Sequence, residues 1–489
     1  MELVIRFPLY PATFGAAFVL TRFLATGELF PVVIRPLVVV VLVAILAQLI
    51  AGLMTRNRHI GAFVATLGAA MVTDPVVGLF VLLTASGPLV FGLVRSRRMA
   101  RIDWPRVTAF LTFVGTVALV LNGVLAMSRV VTTLQAGVVR PAGDVGQPPS
   151  GAPDIYLIML DGYPRADTLA HDFSFDNSPF LRSMQDLGFD IADQAHSNYN
   201  ATLLTLSSVL NMKHVDDVIP SPPGQPGHAA ALIRSINAGE ALQALWRAGY
   251  VVASIPSGIT TTAVFSVDRY LDTGQINSFE MSLAKSGVLP NLLPDLQRSW
   301  FYAQHRDRIR SAFDRLATLA GEDVVSPRFV FAHVMSPHAP IVFNADGSPH
   351  VELRCIPQTC ALWDEHRGPD EDAELPGQVA YLNTLVFDTV RRVLASTKRP
   401  AVIVVFSDHG SRHDLGDRDE MLRNLFVAYT PGRPGLFPSD ASPVNIIPRI
   451  LNAYVGAEIP LATEEAYEID LATIGTTGYF PLVPWPINP

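Results

Sequence analysis

Charge is scarce in this chain. Asp, Glu, Lys and Arg make up 16% of 489 residues while hydrophobic residues reach 49%, well below the roughly 25% charge of an average soluble domain. That balance excludes a disordered chain and sits poorly with a wholly soluble one. Cysteine is scarcer still, with Cys355 and Cys360 the only two, so neither a disulfide scaffold nor a four-cysteine zinc site can be built. A zinc site using the pair would need two further ligands, and His350 and His366 are the only local histidines. Excess positive charge is absent too: the net charge of −8 gives no footprint for nucleic acid.

The hydrophobic excess is concentrated in residues 1–130. Pro8 to Ala25 is interrupted only by Arg22, Pro36 to Met54 carries no charge, Ile60 to Val94 carries only Asp74, and Val107 to Ser128 carries none. The third stretch is too long for one span of about 20 residues and is expected to turn back near Asp74-Pro75, for five spans in all. Arg56, Arg58 and His59 before it, and Arg95, Arg97, Arg98, Arg101 and Arg106 after it, belong on the cytoplasmic side. Two crossings between those clusters and one after them place the rest of the chain outside. No small-x-small cleavage site follows the first span, which argues against a signal peptide. Arg22 and Arg35 are expected to snorkel to an interface or to meet anionic lipid head groups. Residues 131–153, rich in Gly and Pro, read as a linker from this transmembrane domain (1–130) to an outer domain (154–489). In the oxidising compartment outside, Cys355 and Cys360 are expected to bond to each other, leaving no thiol to titrate in non-reduced, denatured protein.

The outer domain alternates strand and helix patterns. Ile155 to Leu160 is an apolar strand ending in Asp161-Gly162, and Ala401 to Phe406 is another leading into Ser407-Asp408-His409-Gly410. Two buried strands that each deliver a carboxylate beside a glycine at the carboxyl end suggest one shared hard-cation site. Phe329 to Val334 is a third such strand, followed by a proline-flanked His338. A strand is expected from Phe189 to Ala195, one amphipathic helix from about Ala229 to Arg247, and a helix starting close to Thr202, whose hydroxyl would lie in the positive field of the helix N-terminus. The pattern implies an α/β domain with a mostly parallel central sheet covered by helices on both faces.

Asp161-Gly162, the Thr202 helix start and Ser407-Asp408-His409-Gly410 together resemble the alkaline-phosphatase and sulfatase superfamily over residues 154–455. The likeness is to its membrane-anchored branch, which includes lipoteichoic acid synthases and phosphoethanolamine transferases. That resemblance implies one divalent cation (manganese, zinc, magnesium or calcium) held by Asp161, Thr202, Asp408 and His409. Thr202 would be the nucleophile, and His338 would contact the phosphoryl group or protonate the leaving group. A hydroxyl needs a lowered pKa to attack, so one oxygen would be both ligand and nucleophile. Thr205, one turn later, is the rival. Asp161 stands where close transferases often carry Glu. Arg165 and Arg412 are candidate anion clamps, and His413 with Asp414 a candidate substrate contact.

Two motifs mislead. Asn200-Ala201-Thr202 matches a glycosylation sequon, but in a recessed pocket where a sugar would block the site. Cys355-Ile356-Pro357-Gln358-Thr359 partly matches the sulfatase formylglycine signature, yet lacks its arginine and follows His338. The expected activity is transfer of a phospho-alcohol, of phosphoglycerol or phosphoethanolamine type, from a phospholipid to an envelope glycan or lipid through a phosphothreonine. The alternative is a hydrolase of phosphate or sulfate esters. The expected location is the cell (inner) membrane, multi-pass, with the catalytic domain extracytoplasmic. Alkaline phosphatase fused after Ala152 should therefore be active outside the cell membrane, and an inactive, cytoplasmic reporter would overturn the five-span count.

Overall fold

The computed structural model describes residues 7–26, 28–73, 103–135, 146–219, 228–285, 294–350, 369–411, 418–469 and 482–486. Cys355, Cys360, Arg412 and His413 lie outside the described residues, as does most of the expected hairpin after Asp74. The chain divides into two compact units: residues 1–135 with 277–297, and residues 136–276 with 298–489. The segment 277–297, expected within the outer domain, thus groups with the N-terminal helices.

In the first unit, helices run over Tyr10–Leu24, Pro31–Thr55, Arg58–Thr73 and Trp104–Gln135. Among the described residues two segments are long and apolar enough to cross a membrane, Pro31–Thr55 and Trp104–Val131. Of the five expected spans, two thus have candidates among the described residues, and the second half of the expected hairpin lies outside those residues. Tyr10–Leu24 has 15 residues and Arg58–Thr73 has 16, short of the roughly 20 that a bilayer core requires. Thr73 is also where the described residues stop, so the expected turn at Asp74-Pro75 lies outside them. Leu42, Leu53, Phe110, Phe113 and Val124 all point outward, with Leu53 80% exposed. A contiguous apolar exterior of that kind is stable only against a non-aqueous surrounding. Two polar contacts join helices of this unit: Thr21 with Asn122 at 3.1 Å, and His59 Nδ1 with Thr108 at 2.9 Å.

The second unit is built on a seven-stranded sheet in the order β2-β7-β6-β1-β5-β3-β4. The strands are β1 (Asp154–Leu160), β2 (Asp190–Ile191), β3 (Val251–Ile255), β4 (Arg269–Tyr270), β5 (Arg328–Val334), β6 (Ala401–Ser407) and β7 (Phe426–Tyr429). Pairing is parallel from β6 through β4, and antiparallel at the β7 and β2 edge. Every residue of β1, β5 and β6 is buried, as apolar runs in a two-sided parallel sheet must be. Alternation along β1 divides the core. Tyr156, Ile158 and Leu160 pack with Met184, Phe313 and Val386, while Ile155, Leu157 and Met159 pack with Leu206, Leu245 and Ile450. Helices therefore cover both faces, as the strand and helix alternation implied. A second, two-stranded sheet pairs β8 (Ala466–Glu468) with β9 (Val483–Trp485).

Two expected elements differ. The single helix over Ala229 to Arg247 is two, His228–Asn237 and Glu240–Arg247. The break falls at Gly239, where a Cβ would lie 2.4 Å from the Leu210 carbonyl oxygen, a close approach only glycine permits. The strand expected from Phe189 to Ala195 shortens to Asp190–Ile191, because an edge strand pairs on one side only and its partner β7 offers it Ala428 and Val427 alone.

Candidate metal centre

Strand order puts the candidate residues together. In the parallel registers Leu160 pairs with Val334 on one side and with Ser407 on the other, so the residues that follow β1, β5 and β6 emerge at one edge of the sheet. Asp161 follows β1, Asp408-His409 follows β6, and His338 lies on the loop after β5. Gly162 makes the sharp turn possible: its φ is +67°, and an added Cβ would sit 3.3 Å from His409 Cε1. Ser407 ties the strand ends to each other, its hydroxyl accepting the Tyr163 N–H at 2.7 Å and lying 2.7 Å from the carbonyl oxygens of Leu160 and His409.

Each carboxylate is satisfied on one oxygen only. Asp161 Oδ2 accepts from His333 Nε2 at 3.0 Å, and Asp408 Oδ1 from the Gly162 N–H at 3.0 Å. Asp161 Oδ1, Asp408 Oδ2 and His409 Nε2 are buried, and none has a hydrogen-bond partner among the described residues. These three atoms converge, with His409 Nε2 3.5 Å from Asp161 Oδ1 and 3.6 Å from Asp408 Oδ2. His338 Nε2 faces Asp161 Oδ1 at 3.9 Å. Asp161, His338 and His409 offer ligand atoms all within 4.8 Å of one another. The tautomers suit ligation: His409 Nδ1 donates to the Gly410 carbonyl and His338 Nδ1 to the Ala339 carbonyl, each at 2.8 Å, which turns a lone pair on each Nε2 inward. Burial alone would raise the Asp161 pKa, but the facing His338 and the hydrogen bond from His333, with His409 close by, outweigh it and hold this carboxyl well below the usual range. Buried acceptors with nothing to accept from fit a divalent cation.

Thr202 opens the helix Thr202–Asn211 after an extended Ala201, as the sequence suggested, and is half-buried. The helix start is fastened to the centre by Thr205, whose hydroxyl donates to the Asp408 carbonyl at 2.9 Å. Arg165 is drawn elsewhere. It is buried, it grips both carboxylate oxygens of Asp167 at 2.8 and 2.7 Å, and it donates to the Ala195 carbonyl at 3.1 Å. The cleft beside the cluster is lined by Gly162, Pro337, His338, Leu375, His409 and Ser411. His333 was missed in the sequence, although one imidazole inside the apolar run Phe329 to Val334 was a signal. Its other nitrogen, Nδ1, lies 3.4 Å from the Thr262 hydroxyl, which leaves Nε2–H for Asp161.

No protein-family model matches this sequence, and no curated protein matches it. Solved structures with a similar fold include the zinc complex of the C-terminal periplasmic domain of EptC from Escherichia coli, at 13% identity over 62% of this chain and 83% of that one, TM-score 0.39. A phosphonate monoester hydrolase of Agrobacterium radiobacter is similar at 14% identity over 65% and 80%, TM-score 0.43. Another, from Silicibacter pomeroyi, is similar at 16% identity over 63% and 74%, TM-score 0.41. The functional argument rests on this chain's own side chains.

If His333 orients Asp161, His333→Ala should lower metal affinity by roughly 10- to 100-fold, the usual effect of losing a ligand's supporting hydrogen bond. His333→Gln, which can still donate, should recover part of it. Titration with zinc and manganese, read by calorimetry, checks this, and equal affinity in all three proteins would remove His333 from the centre.

Proposed function

We propose that this chain is a membrane-anchored, metal-dependent phosphotransferase of the alkaline-phosphatase and sulfatase superfamily. On this reading it moves a phospho-alcohol from a phospholipid to an envelope glycan or lipid. The observation that carries this is the convergence of Asp161 Oδ1, Asp408 Oδ2 and His409 Nε2, buried and unpartnered, beside the helix start at Thr202. A divalent cation bound there would supply a Lewis acid that lowers a hydroxyl pKa and offsets charge on the transferring group. Two carboxylates with imidazole favour zinc or manganese over calcium, which prefers oxygen ligands alone.

The remaining roles belong to the protein. The Thr202 hydroxyl releases its proton to water and its oxygen attacks phosphorus, forming a phosphothreonine while the bond to the lipid alcohol breaks. His338, protonated at Nε2, gives the leaving oxygen its proton. An acceptor hydroxyl then passes its proton to His338 Nε2 and attacks phosphorus, the bond to the Thr202 oxygen breaks, and that oxygen takes a proton from water to regenerate Thr202. Amides at the start of Thr202–Asn211 point their donors toward developing negative charge. Thr205 is unsuited to attack, because it is fully buried and its hydroxyl is committed to the Asp408 carbonyl. Water as second acceptor would make the same site a hydrolase, and analysis of the products tells the two apart.

The expected outcomes separate the residues. Asp408→Ala should lose metal and turnover together. Thr202→Ala should keep most of the metal while turnover falls by several orders of magnitude, as when a covalent step is deleted. Thr202→Ser should retain some activity. Mass spectrometry of protein trapped with labelled phospholipid should place the added phospho-group on the peptide containing Thr202. Full activity in Thr202→Ala would end the covalent mechanism.

A further inference from the structure

Residues 277–297 leave the outer chain after β4 and join the compact unit formed by residues 1–135. Their described parts are Asn277 with the helix Ser278–Lys285 and the first residues of the helix Pro294–Gly321, and the start of Ser278–Lys285 is fixed by its own cap. The Asn277 N–H donates to Glu280 Oε2 at 3.0 Å while the Glu280 N–H donates to Asn277 Oδ1 at 2.9 Å, a reciprocal capping box that fixes the first turn. The same Glu280 carboxylate receives both Nε and Nη2 of Arg35, from the Pro31–Thr55 helix, in a two-pronged ion pair, and its side chain is 12% exposed. Beside it the buried Phe279 meets Phe23 edge to face, with ring centroids 6.5 Å apart, and Met281 is buried as well. Phe23 is braced in turn by Arg129 of the Trp104–Gln135 helix, whose guanidinium lies 5.7 Å from the ring centroid and donates to the Leu24 carbonyl at 2.6 Å. Arg35 is thus taken by a carboxylate of its own chain, where the sequence suggested snorkelling to an interface or an anionic lipid head group.

We propose that residues 277–297 are a docking insert, a piece of the outer chain that serves as a component of the membrane unit. It fastens the two parts of the protein independently of the 136–153 linker, with Arg35–Glu280 as the clasp and Phe279 as the apolar seat. Three features support this. The helix is capped before it docks, so little ordering entropy remains to oppose binding. The ion pair is bidentate, with the Glu280 side chain 12% and the Arg35 side chain 38% exposed, and its fork geometry is one a lysine could not copy. The seat is formed by three different helices of the membrane unit, so the insert has a complete receptor.

The test uses the full-length protein in detergent, with an N-terminal affinity tag and a protease site placed between residues 136 and 146. After cleavage the outer fragment should remain bound to the tagged membrane fragment. Glu280→Arg should release at least tenfold more of it, and Phe279→Ala should release an intermediate amount. The charge swap Arg35→Glu with Glu280→Arg should restore retention, which distinguishes a lost clasp from a misfolded insert. A cooperative thermal melt of the released fragment shows that the outer unit itself is intact. Complete release from the unsubstituted protein, or equal retention in Glu280→Arg, overturns the proposal. Because the readout is association, the result stands apart from whether Thr202 is the nucleophile.

Discussion

Three lone pairs facing one another inside a protein are the constraint on which the outer unit depends. His409 has spent its Nδ1 proton on the Gly410 carbonyl, so in its neutral form Nε2 can only accept. Asp161 Oδ1 and Asp408 Oδ2 likewise accept. Protonating the imidazole would not settle the arrangement, because the separations of 3.5 and 3.6 Å exceed a normal hydrogen bond. Buried like charges repel and each would prefer water. A positive ion among them reverses the sign of every one of these terms, which is why the residue types make sense only as a cation site.

The sheet exists in the form that holds those groups still. β1 lies between β5 and β6, and registers on both sides bring Leu160, Val334 and Ser407 level. The turns that follow are then fixed by short contacts: the Asp161 N–H to the Val334 carbonyl and the His338 N–H to the Asp161 carbonyl, both at 2.9 Å. Gly410 passes so close to the Glu420 carbonyl oxygen that a Cβ would lie 2.1 Å from it. Helices on both faces keep water from the strands, so the ligands are presented from a dry and rigid frame. The second oxygen of each Asp is held by a neighbour, His333 or the Gly162 amide, which leaves one oxygen of each aimed inward.

Much of this was legible in the sequence because the signals were local. Apolar β-branched runs stop at Asp161 and at Asp408, and those runs are β1 and β6 with bounds close to the expected ones. The helix start at Thr202 could be placed from Leu203, Leu206 and Leu210. What was not legible depended on tertiary contacts. Nothing near Gly239 signals a break until Leu210 is known to press against it. Arg165 looked like an anion clamp because Asp167, two residues on, could have faced away. The affinity of Glu280 for Arg35 joins residues 245 apart, and no pattern within either segment announces it.

The turn preceding Thr202 carries the remaining step of the argument. Asn200 is buried, with its side-chain oxygen accepting the Ile469 N–H and its amide nitrogen donating to the Ile469 carbonyl, both at 3.1 Å. Asn198 does the same work one turn of extended chain earlier, accepting from the Val444 N–H at 2.9 Å and donating to the Glu465 carbonyl at 2.9 Å. An asparagine whose amide is engaged on both sides has no nitrogen to offer a sugar, so the sequon at Asn200 is a coincidence of composition. Both of its bonds go to Ile469, the residue that follows β8, 269 residues away. The C-terminal segment therefore sets the backbone from which Thr202 begins its helix, while Thr205 ties the next turn to Asp408. Held at both ends, Thr202 starts its helix from a turn whose position is fixed before any substrate arrives, and positional certainty of that kind is what the covalent role proposed for it requires.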